Sequence, residues 1–332
     1  MHFGSKFPKH LLLNLKRTCD FFPSVSVVLI TDIEENLRIG KANFRTSYFA
    51  MDSDYHLLNE NLNHPKDFRN NFWFTSLARI YALCDYAAAK NVPILHIESD
   101  VLVSRDLPLD RFSFCDRPIA FTVVGKGAGV ASVLWIENSK AALHLREYVT
   151  KSAQKDAMTT DMKILGQYQE DHPRSVRVLA SFSTENTSSF KSLSPQILED
   201  FSYTEDLFDG YFDAADVGQY LLGDDPRNHR GIKLFRRQLE TSYLRPREVR
   251  YVYSETRNFL SIASGPHNRF FSLHIHSKNL KVFKEGKFRD VLSRAIRNQD
   301  KPEGRFLVVS VLVKSIKNSL QRRSKVLMVG RK

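Results

Sequence analysis

The hydrophobic pattern between Phe72 and Val103 changes from the period of a helix to that of a strand. Thr75 or Ser76 is a suitable N-cap, apolar residues then recur at helical spacing, and Asn91 ends the pattern. Residues 93–97 form an apolar run of strand length directly afterwards. A helix that leads into a short buried strand is typical of α/β domains. This stretch therefore predicts a sheet with helices packed against it.

Two carboxylates follow the predicted strand at once, as Glu98 and Asp100 with Ser99 between them. In an extended segment, side chains two residues apart share a face, so the two acids can converge on one point. Carboxylate oxygens at the carboxyl end of a strand suit Mg²⁺ or Mn²⁺, and such a metal can carry a diphosphate. The alternative is a turn at the strand end whose acids are solvated.

This order of helix, apolar strand and acid-x-acid triplet resembles the nucleotide-sugar-dependent glycosyltransferases of the GT-A fold, in which a DxD motif occupies such a position. Glu98 stands where that motif has its first acid. The resemblance implies an α/β fold with a Rossmann-like, mostly parallel central sheet flanked by helices. It also implies that Glu98, Ser99 and Asp100 contact the donor, with Glu98 and Asp100 as metal ligands. Arg79, in the preceding helix, matches an arginine that contacts the donor diphosphate or nucleotide.

The first residues fit the same comparison. Phe3-Gly4-Ser5 looks like the end of a first strand followed by a glycine turn. In GT-A enzymes that strand ends beside the nucleotide base, so the resemblance implies donor contacts for these three residues. A first strand this short predicts that further residues precede Met1. Residues 9–21 then have a helical pattern and residues 25–30 a β-rich one, and this order predicts a right-handed crossover in a parallel sheet.

Glycines separate two further apolar runs, residues 118–124 and 130–136. A phosphate-binding glycine loop leads from a strand into a helix, whereas this one leads into another strand, so its spacing does not indicate a dinucleotide site. One interpretation is a loop between strands that needs a permissive backbone. The GT-A resemblance implies another, in which Gly127 and Gly129 lie against the donor sugar.

Two acids in the second half are candidate catalytic residues. A helix is predicted to begin at Asn138, and another within residues 159–161. The GT-A resemblance implies an acid near the acceptor or the reacting sugar, which makes Asp161 and Asp156 candidates. The alternative for Asp161 is stabilisation of the helix dipole, a common role for an acid at a helix start.

Six aspartates lie between residues 206 and 225, and their order lacks the alternation and the terminal Glu of an EF-hand. The segment predicts a helix over residues 212–221 that is closed by Gly223. Its acids are either solvated charges around that helix or part of an acceptor-side loop, where one of them is a further candidate base.

Residues 269–278 (RFFSLHIHSK) alternate with a period of two. Apolar residues occupy one face of the predicted strand, and His274, His276 and Lys278 occupy the other. In metal-dependent GT-A families a late histidine completes the metal site and a nearby lysine contacts the donor diphosphate. The resemblance therefore implies His276 or His274 as a metal ligand, with His276 favoured, and Lys278 as a donor contact.

The chain has a formal net charge of +12, which points to an anionic partner. Nucleic acid is excluded as that partner, because the sequence has no helix-turn-helix spacing, zinc-finger pattern or aromatic RNA-binding motif. Residues 309–320 form an apolar helical stripe flanked by Lys and Arg, which predicts either a helix on an anionic membrane surface or a helix docked on the domain. Three scattered cysteines indicate a reducing compartment, and no apolar window reaches the roughly 18 residues of a membrane span.

Together these patterns predict a GT-A-like catalytic domain at 1–280, with a donor half at about 1–137 and an acceptor half at about 138–280, and a basic helical extension at 281–332. The expected activity is Mn²⁺- or Mg²⁺-dependent transfer of a sugar from a nucleotide-sugar, with a UDP-sugar favoured, to a hydroxyl of a glycan or lipid-linked acceptor. The late histidines and lysine resemble retaining families, so retention is favoured over inversion. The expected location is the cytoplasm, at the inner face of the membrane. A noncatalytic glycan-binding scaffold of the same fold and a sugar nucleotidyltransferase remain alternatives.

Overall fold

The structure, a computed structural model, describes residues 2–3, 7–39, 44–66, 68, 71–185, 193–225, 242–263, 267–277, 280–284 and 286–299. These residues form an α/β fold. The helices are α1 (Lys9–Phe21), α2 (Ser53–Asn61), α3 (Phe72–Lys90), α4 (Ser139–Lys155), α5 (Asp161–Asp171), α6 (Pro195–Phe208), α7 (Asp216–Leu222), α8 (Leu280–Phe283) and α9 (Phe288–Arg297). The strands are β1 (Val28–Thr31), β2 (Arg45–Tyr48), β3 (Ile94–Ile97), β4 (Val101–Val103), β5 (Ile119–Gly125), β6 (Ala128–Ile136), β7 (Val176–Val178), β8 (Tyr211–Phe212), β9 (Tyr251–Ser254), β10 (Phe259–Ile262) and β11 (Phe270–His274).

The sheets are mixed, which differs from the expected mostly parallel central sheet. In the largest sheet, of order β3-β6-β5-β7, both β3 and β5 run antiparallel to β6, and only β5 and β7 are parallel. The reason lies in the two residues, Lys126 and Gly127, that join β5 to β6, because a connection this short can only form a hairpin. A smaller sheet has the order β4-β11-β8, with β11 antiparallel to β4 and parallel to β8. Two pairs complete the pairing among the described strands, β1 parallel to β2 and β9 antiparallel to β10.

Local capping signals fix several helix ends where the sequence predicts them. The Asn138 side chain accepts a hydrogen bond from the backbone N–H of Ala141 at the start of α4, and α1 spans the predicted residues 9–21. Helix α3 ends at Asn91 in the left-handed conformation, as expected. Its start is a turn earlier than predicted, because the hydroxyl of Thr75 donates to the carbonyl of Phe72 within the helix and does not cap it.

Two elements differ from the sequence prediction through tertiary pairing. The helix expected over residues 212–221 begins at Asp216, because Tyr211 and Phe212 are buried as β8 and pair with β11. The strand expected over residues 269–278 ends at His274, so the alternation of its two faces stops there. In the first case, pairing and burial within the sheet decide the conformation of Phe212, although the local sequence pattern predicts a helix there.

Residues just after position 280 contribute to the core of the domain. Val282, Phe283, Phe288 and Leu292 belong to the same hydrophobic core as the central sheet. The side chain of Gln299 accepts a hydrogen bond from the backbone N–H of Tyr251, at 3.0 Å. The predicted basic stripe at 309–320 lies outside the described residues. None of the helices described is both long enough and apolar enough to cross a membrane.

Helix α5 packs directly on the backbone of the β5–β6 hairpin. A Cβ atom added at Gly166 would lie only 2.1 Å from the carbonyl carbon of Gly127, and Gly127 itself turns the chain with φ of +63°. A Cβ added at Gly129 would lie 2.6 Å from the Cβ of Leu165. These contacts favour the interpretation of the glycine run as a requirement of backbone geometry and close packing.

We expect Gly166→Ala to destabilise the protein by about 1–3 kcal/mol, because the new methyl group meets hairpin backbone that cannot move aside as a side chain could. In a helix interior the same change is normally stabilising, by about 1 kcal/mol. Urea unfolding measures the difference. Gln167→Ala, on the partly exposed face of the same helix, is the control and should be within about 0.5 kcal/mol of wild type. A Gly166→Ala variant as stable as wild type would contradict the close packing.

Candidate metal site

Glu98 and Asp100 lie in the turn that joins β3 to β4. The backbone N–H of Glu98 donates to the carbonyl of Ser132, and the N–H of Val101 donates back to the carbonyl of Glu98 at 3.0 Å. The segment is therefore a turn, and the two carboxylates converge because the chain folds back and not because they share the face of an extended strand. Asn14 of α1 fixes this turn, since its side-chain amide donates to the carbonyls of Ser99 and Val101. The side chains of both acids are buried.

His274 completes the group from the far end of the chain. It is the last residue of β11 and pairs with Val101 in the antiparallel ladder with β4. Its Nε2 atom lies 3.3 Å from Oε2 of Glu98 and 3.6 Å from Oδ1 of Asp100. One ligand atom from each of these three residues lies within 4.8 Å of the others. Among the described residues, these three side chains form the group that could hold a metal ion.

His276 takes a different position from the one expected for the favoured ligand. Its ring stacks on that of His274, with 4.1 Å between the ring centroids and 27° between the planes. Strand β11 has ended two residues earlier, so the extended geometry that would put both imidazoles on one face of the strand does not continue to His276. His274 is therefore the histidine whose ring nitrogen lies between the carboxylates.

Asp213 holds the backbone of His274 in place, a role that the sequence did not single out. Its carboxylate accepts hydrogen bonds from the backbone N–H groups of His274, Val217 and Gly218, at 2.9, 3.0 and 2.8 Å. The side chain is only 1% exposed. The signal available in the sequence was an acid shortly before a helix start, which is too common to identify one aspartate among six.

Arg79 bridges the acidic group to α5. Its guanidinium lies 2.5 Å from Glu98 through Nη1 and 3.3 Å from Asp161 through Nη2. Asp161 is the first residue of α5, behind an N-cap at Thr160 as predicted, and its carboxylate is buried. Arg79, Glu98 and Asp161 are thus brought together at one place in the fold.

Asp156, the other candidate catalytic acid, lies elsewhere. It follows the last residue of α4, where its carboxylate accepts from the backbone N–H of Met158 and pairs with Lys163 at 2.7 Å. The hydrogen bond from Lys163 is the main reason that the pKa of Asp156 lies below its usual value. These contacts give Asp156 a role in the turn between α4 and α5.

The remaining expected donor contacts are only partly described. Phe3 packs against the core, with its ring 6.3 Å from that of Tyr55. Gly127 and Gly129 belong to the hairpin that α5 covers. Gly4, Ser5 and Lys278 lie outside the described residues.

The charges of the cluster are compatible with a divalent cation. Burial alone would lower the pKa of His274, but Asp100 and Glu98 raise it to about 9, so the imidazole holds a proton between two carboxylates. Burial raises the pKa of Asp161, against the attraction of Arg79. With the imidazole neutral, a divalent cation and Arg79 together balance the three carboxylates. The donor set of two carboxylates and one imidazole fits Mn²⁺, and also Mg²⁺ through the carboxylates.

Another buried acid, Asp216 of α7, gives the protein a pH dependence of its own. Burial raises the pKa of its carboxyl to about 8, a hydrogen bond with Ser242 opposes this, and Asp213 adds to the rise. In the unfolded chain the same group titrates near about 3.9. Between these values the unfolded chain releases a proton that the folded chain keeps, so the free energy of unfolding falls as the pH rises.

Asp216→Asn should therefore be more stable than wild type at pH 8, by on the order of a few kcal/mol, and the difference should vanish toward pH 4. Thermal unfolding across this range tests the expectation. Asp156→Asn is the matched control with the opposite sign, because the lowered pKa of that exposed acid contributes stability near neutral pH. A difference between Asp216→Asn and wild type that does not change with pH would contradict the raised pKa.

No protein-family model matches the sequence. A search of curated proteins likewise returns no similar sequence. The function has to be inferred from the chemistry of the site.

Proposed function

We propose that the chain is a metal-dependent glycosyltransferase with a GT-A-like donor domain, which transfers a sugar from a nucleotide-sugar to a hydroxyl acceptor. The observation that carries this proposal is the buried group of Glu98, Asp100 and His274, with Arg79 bound to Glu98 at 2.5 Å. A hard-oxygen pair with one imidazole, at the end of a strand and beside a fixed guanidinium, suits a divalent cation that holds a diphosphate. The acid-x-acid pattern alone would not carry it.

The same residues suit the charge changes of the reaction. A bound divalent cation would neutralise the negative charge that develops on the departing diphosphate. Arg79 supplies a further fixed positive charge at the cluster, and its two carboxylate partners hold the guanidinium in one orientation. His274 lies beside both acids and would have to lose its proton to act as a metal ligand.

Asp161 shares Arg79 with Glu98 and is the candidate acid for this chemistry. The glycosidic carbon loses its bond to the diphosphate oxygen, which keeps the electron pair, and gains a bond to the acceptor oxygen, which releases a proton. With inversion, Asp161 is the candidate that accepts this proton, since burial has already raised the pKa of its carboxyl. With retention, the departing phosphate accepts the proton and Asp161 orients Arg79. We favour retention, as the resemblance implies.

The wider assignment follows the same resemblance. A UDP-sugar is the favoured donor and a glycan or lipid-linked saccharide the acceptor. The basic C-terminal segment would hold the protein at the anionic inner face of a membrane.

A thermal-shift screen tests the proposal on the full chain. UDP-, GDP-, CMP- and ADP-linked sugars are each added with and without Mn²⁺. One nucleotide class should stabilise the protein only with metal, by about 2.7 kcal/mol at a hundred times its dissociation constant. Slow hydrolysis of that donor, or transfer to added saccharides, should accompany binding. If no nucleotide stabilises the folded chain, the glycosyltransferase proposal fails. If donor binding occurs without any turnover, the protein is a glycan-binding scaffold.

A further inference from the structure

A cleft of about 820 Å³ is bounded by α1 and α3, with residues of β1 and β3 as two of its walls. Leu11 and Leu15 line it from α1, and Leu83 and Tyr86 line it from α3. Small-molecule sites are mostly apolar cavities of about 300–1,000 Å³ that contain a few polar groups. The size and the apolar walls of this cleft therefore suit an organic ligand.

Two buried polar side chains in the lining lack a hydrogen-bond partner at one atom. Asn14 uses its side-chain amide on the carbonyls of Ser99 and Val101, and its Oδ1 atom receives no hydrogen bond from the described residues. Nε2 of His96 likewise has no partner in the described part of the chain. Both residues are only 5% exposed. Buried polar atoms are nearly always paired, so these two atoms point to a polar group on a ligand.

Asn14 lies at the acidic end of the cleft. Helix α1 ends at Phe21, close in the chain to the start of β1 at Val28, and Asn14 lies two turns, or about 10 Å, before Phe21. Its amide contacts Ser99, and Ser99 and Glu98 both line the cleft. This end of the cleft is therefore distant from the start of β1 and adjoins the candidate metal site.

The opposite end is basic and exposed. Arg45 pairs with Val28 at the start of β1, and Lys90 is the last residue of α3, shortly before β3 begins. Both residues line the cleft and are exposed. Val25 and Val92 also line it, and they are exposed apolar residues. The mouth of the cleft thus combines positive charge with apolar surface, as the entrance for an amphiphilic anion would.

We infer that the cleft binds a long-chain hydroxy acid, with its carboxylate at Arg45 and Lys90, its apolar chain between the helices, and its hydroxyl at Asn14 and His96. A hydroxyl group both donates and accepts, so it can donate to Oδ1 of Asn14 and pair with Nε2 of His96. A carboxylate at the inner end would offer no donor to Asn14 and would be repelled by Glu98. The charges of the cleft therefore set the orientation of the ligand.

The strand that forms one wall sets the length of the chain. Ile94, at the start of β3, and Glu98 are four residues apart, which is about 13 Å along an extended segment. With carbon–carbon bonds of about 1.5 Å in a staggered chain, about ten such bonds cover this distance. A twelve-carbon acid with a terminal hydroxyl is therefore a suitable probe.

Calorimetric titration of the full chain with ω-hydroxydodecanoate, below its micelle concentration, tests the inference. One molecule should bind per chain. Dodecanoate lacks the hydroxyl and leaves both buried atoms unpaired, so it should bind at least about fivefold more weakly. His96→Leu removes one of these atoms, and the preference for the hydroxy acid over dodecanoate should then fall at least about twofold. This ratio is measured within one variant, so a general change in stability does not imitate it.

Charge reversal at the mouth is a second test that leaves the core unchanged. Lys90→Glu should weaken binding of the hydroxy acid at least about threefold, since it replaces an attraction by a repulsion of similar size. Lys155→Glu is the matched control, because Lys155 is likewise the exposed last residue of a helix, α4, and does not line the cleft. It should bind the hydroxy acid as wild type does.

Three results would each overturn the inference: no saturable binding to wild type, equal binding of the two acids, or equal effects of Lys90→Glu and Lys155→Glu. Binding that weakens as the protein concentration rises would also overturn it, since a second copy of the chain would then occupy the cleft. The titrations contain neither nucleotide nor metal. Their outcome is therefore independent of the proposed sugar transfer, and the two proposals can fail separately.

Discussion

Asp100→Asn should remove Mn²⁺-dependent donor binding and lower kcat/KM for sugar transfer by at least about 100-fold. The amide keeps the shape of the side chain but loses the negative charge that a divalent cation requires. Mutation of residues that only hydrogen-bond to metal ligands already lowers metal affinity or activity by about 10–100-fold, so loss of a ligand should cost at least as much. Direct titration with Mn²⁺ gives a readout that does not depend on knowing the acceptor. Wild type should bind one Mn²⁺ that depends on Glu98, Asp100 and His274, and the variant should not.

Asp110→Asn is the matched control, because it makes the same chemical change at an exposed acid ten residues further along the chain. It should bind Mn²⁺ and donor as wild type does. His274→Ala should behave as Asp100→Asn does, whereas His276→Ala should retain the metal, since the group of possible ligands contains His274 and the His276 ring stacks on it. If Asp100→Asn binds Mn²⁺ as tightly as wild type, the candidate metal site is wrong.

Asp200→Asn should destabilise the protein by about 3–5 kcal/mol, the usual cost of removing one partner from a buried ion pair. Asp200 is fully buried and accepts hydrogen bonds from Arg177 at 2.6 Å and Arg117 at 2.9 Å, while its second oxygen faces the backbone N–H of Val178 at 3.2 Å. Neutralising it leaves the buried Arg177 with two more exposed carboxylates, Asp116 at 2.5 Å and Glu199 at 3.8 Å. Urea unfolding should show a lower midpoint with an unchanged slope.

Glu199→Gln is the control for this prediction. Glu199 is the adjacent residue, reaches the same two arginines at 3.8 Å and is 66% exposed, so its loss should change the free energy of unfolding by less than about 1 kcal/mol. Equal effects of the two substitutions would mean that the charge of the region matters and the buried contact does not.

Capping and local periodicity explain what the sequence could predict. The start of α4 at Asn138, the start of α5 at Thr160 and the end of α3 at Asn91 depend on side chains and backbone within a few residues. The pairing of Glu98 and Asp100 was likewise visible, since both follow one short apolar run. The apolar strand before the two acids was predicted correctly. The extended geometry of the acids was not, because β4 begins directly after Asp100 and the chain folds back in a turn.

What the sequence could not predict depends on residues far apart in the chain. Asp213 matters because its carboxylate meets the N–H of His274, and only the completed β4-β11-β8 sheet brings them together. Which of His274 and His276 is the candidate metal ligand depends on the residue at which β11 ends. The mixed sheet follows from a two-residue hairpin at Lys126 and Gly127. The sequence predicted a loop between two strands there, but not that these strands pair antiparallel.

The pairing of β4 with β11 also sets when the site can exist during synthesis. Glu98 and Asp100 leave the ribosome about 170 residues before His274. At about 5–20 residues per second, this is an interval of roughly 10–35 s. During that time the nascent chain carries both acids without the imidazole and without the strand that pairs with β4. A polypeptide that is released early, anywhere before residue 274, has the acid-x-acid triplet but no complete set of ligands.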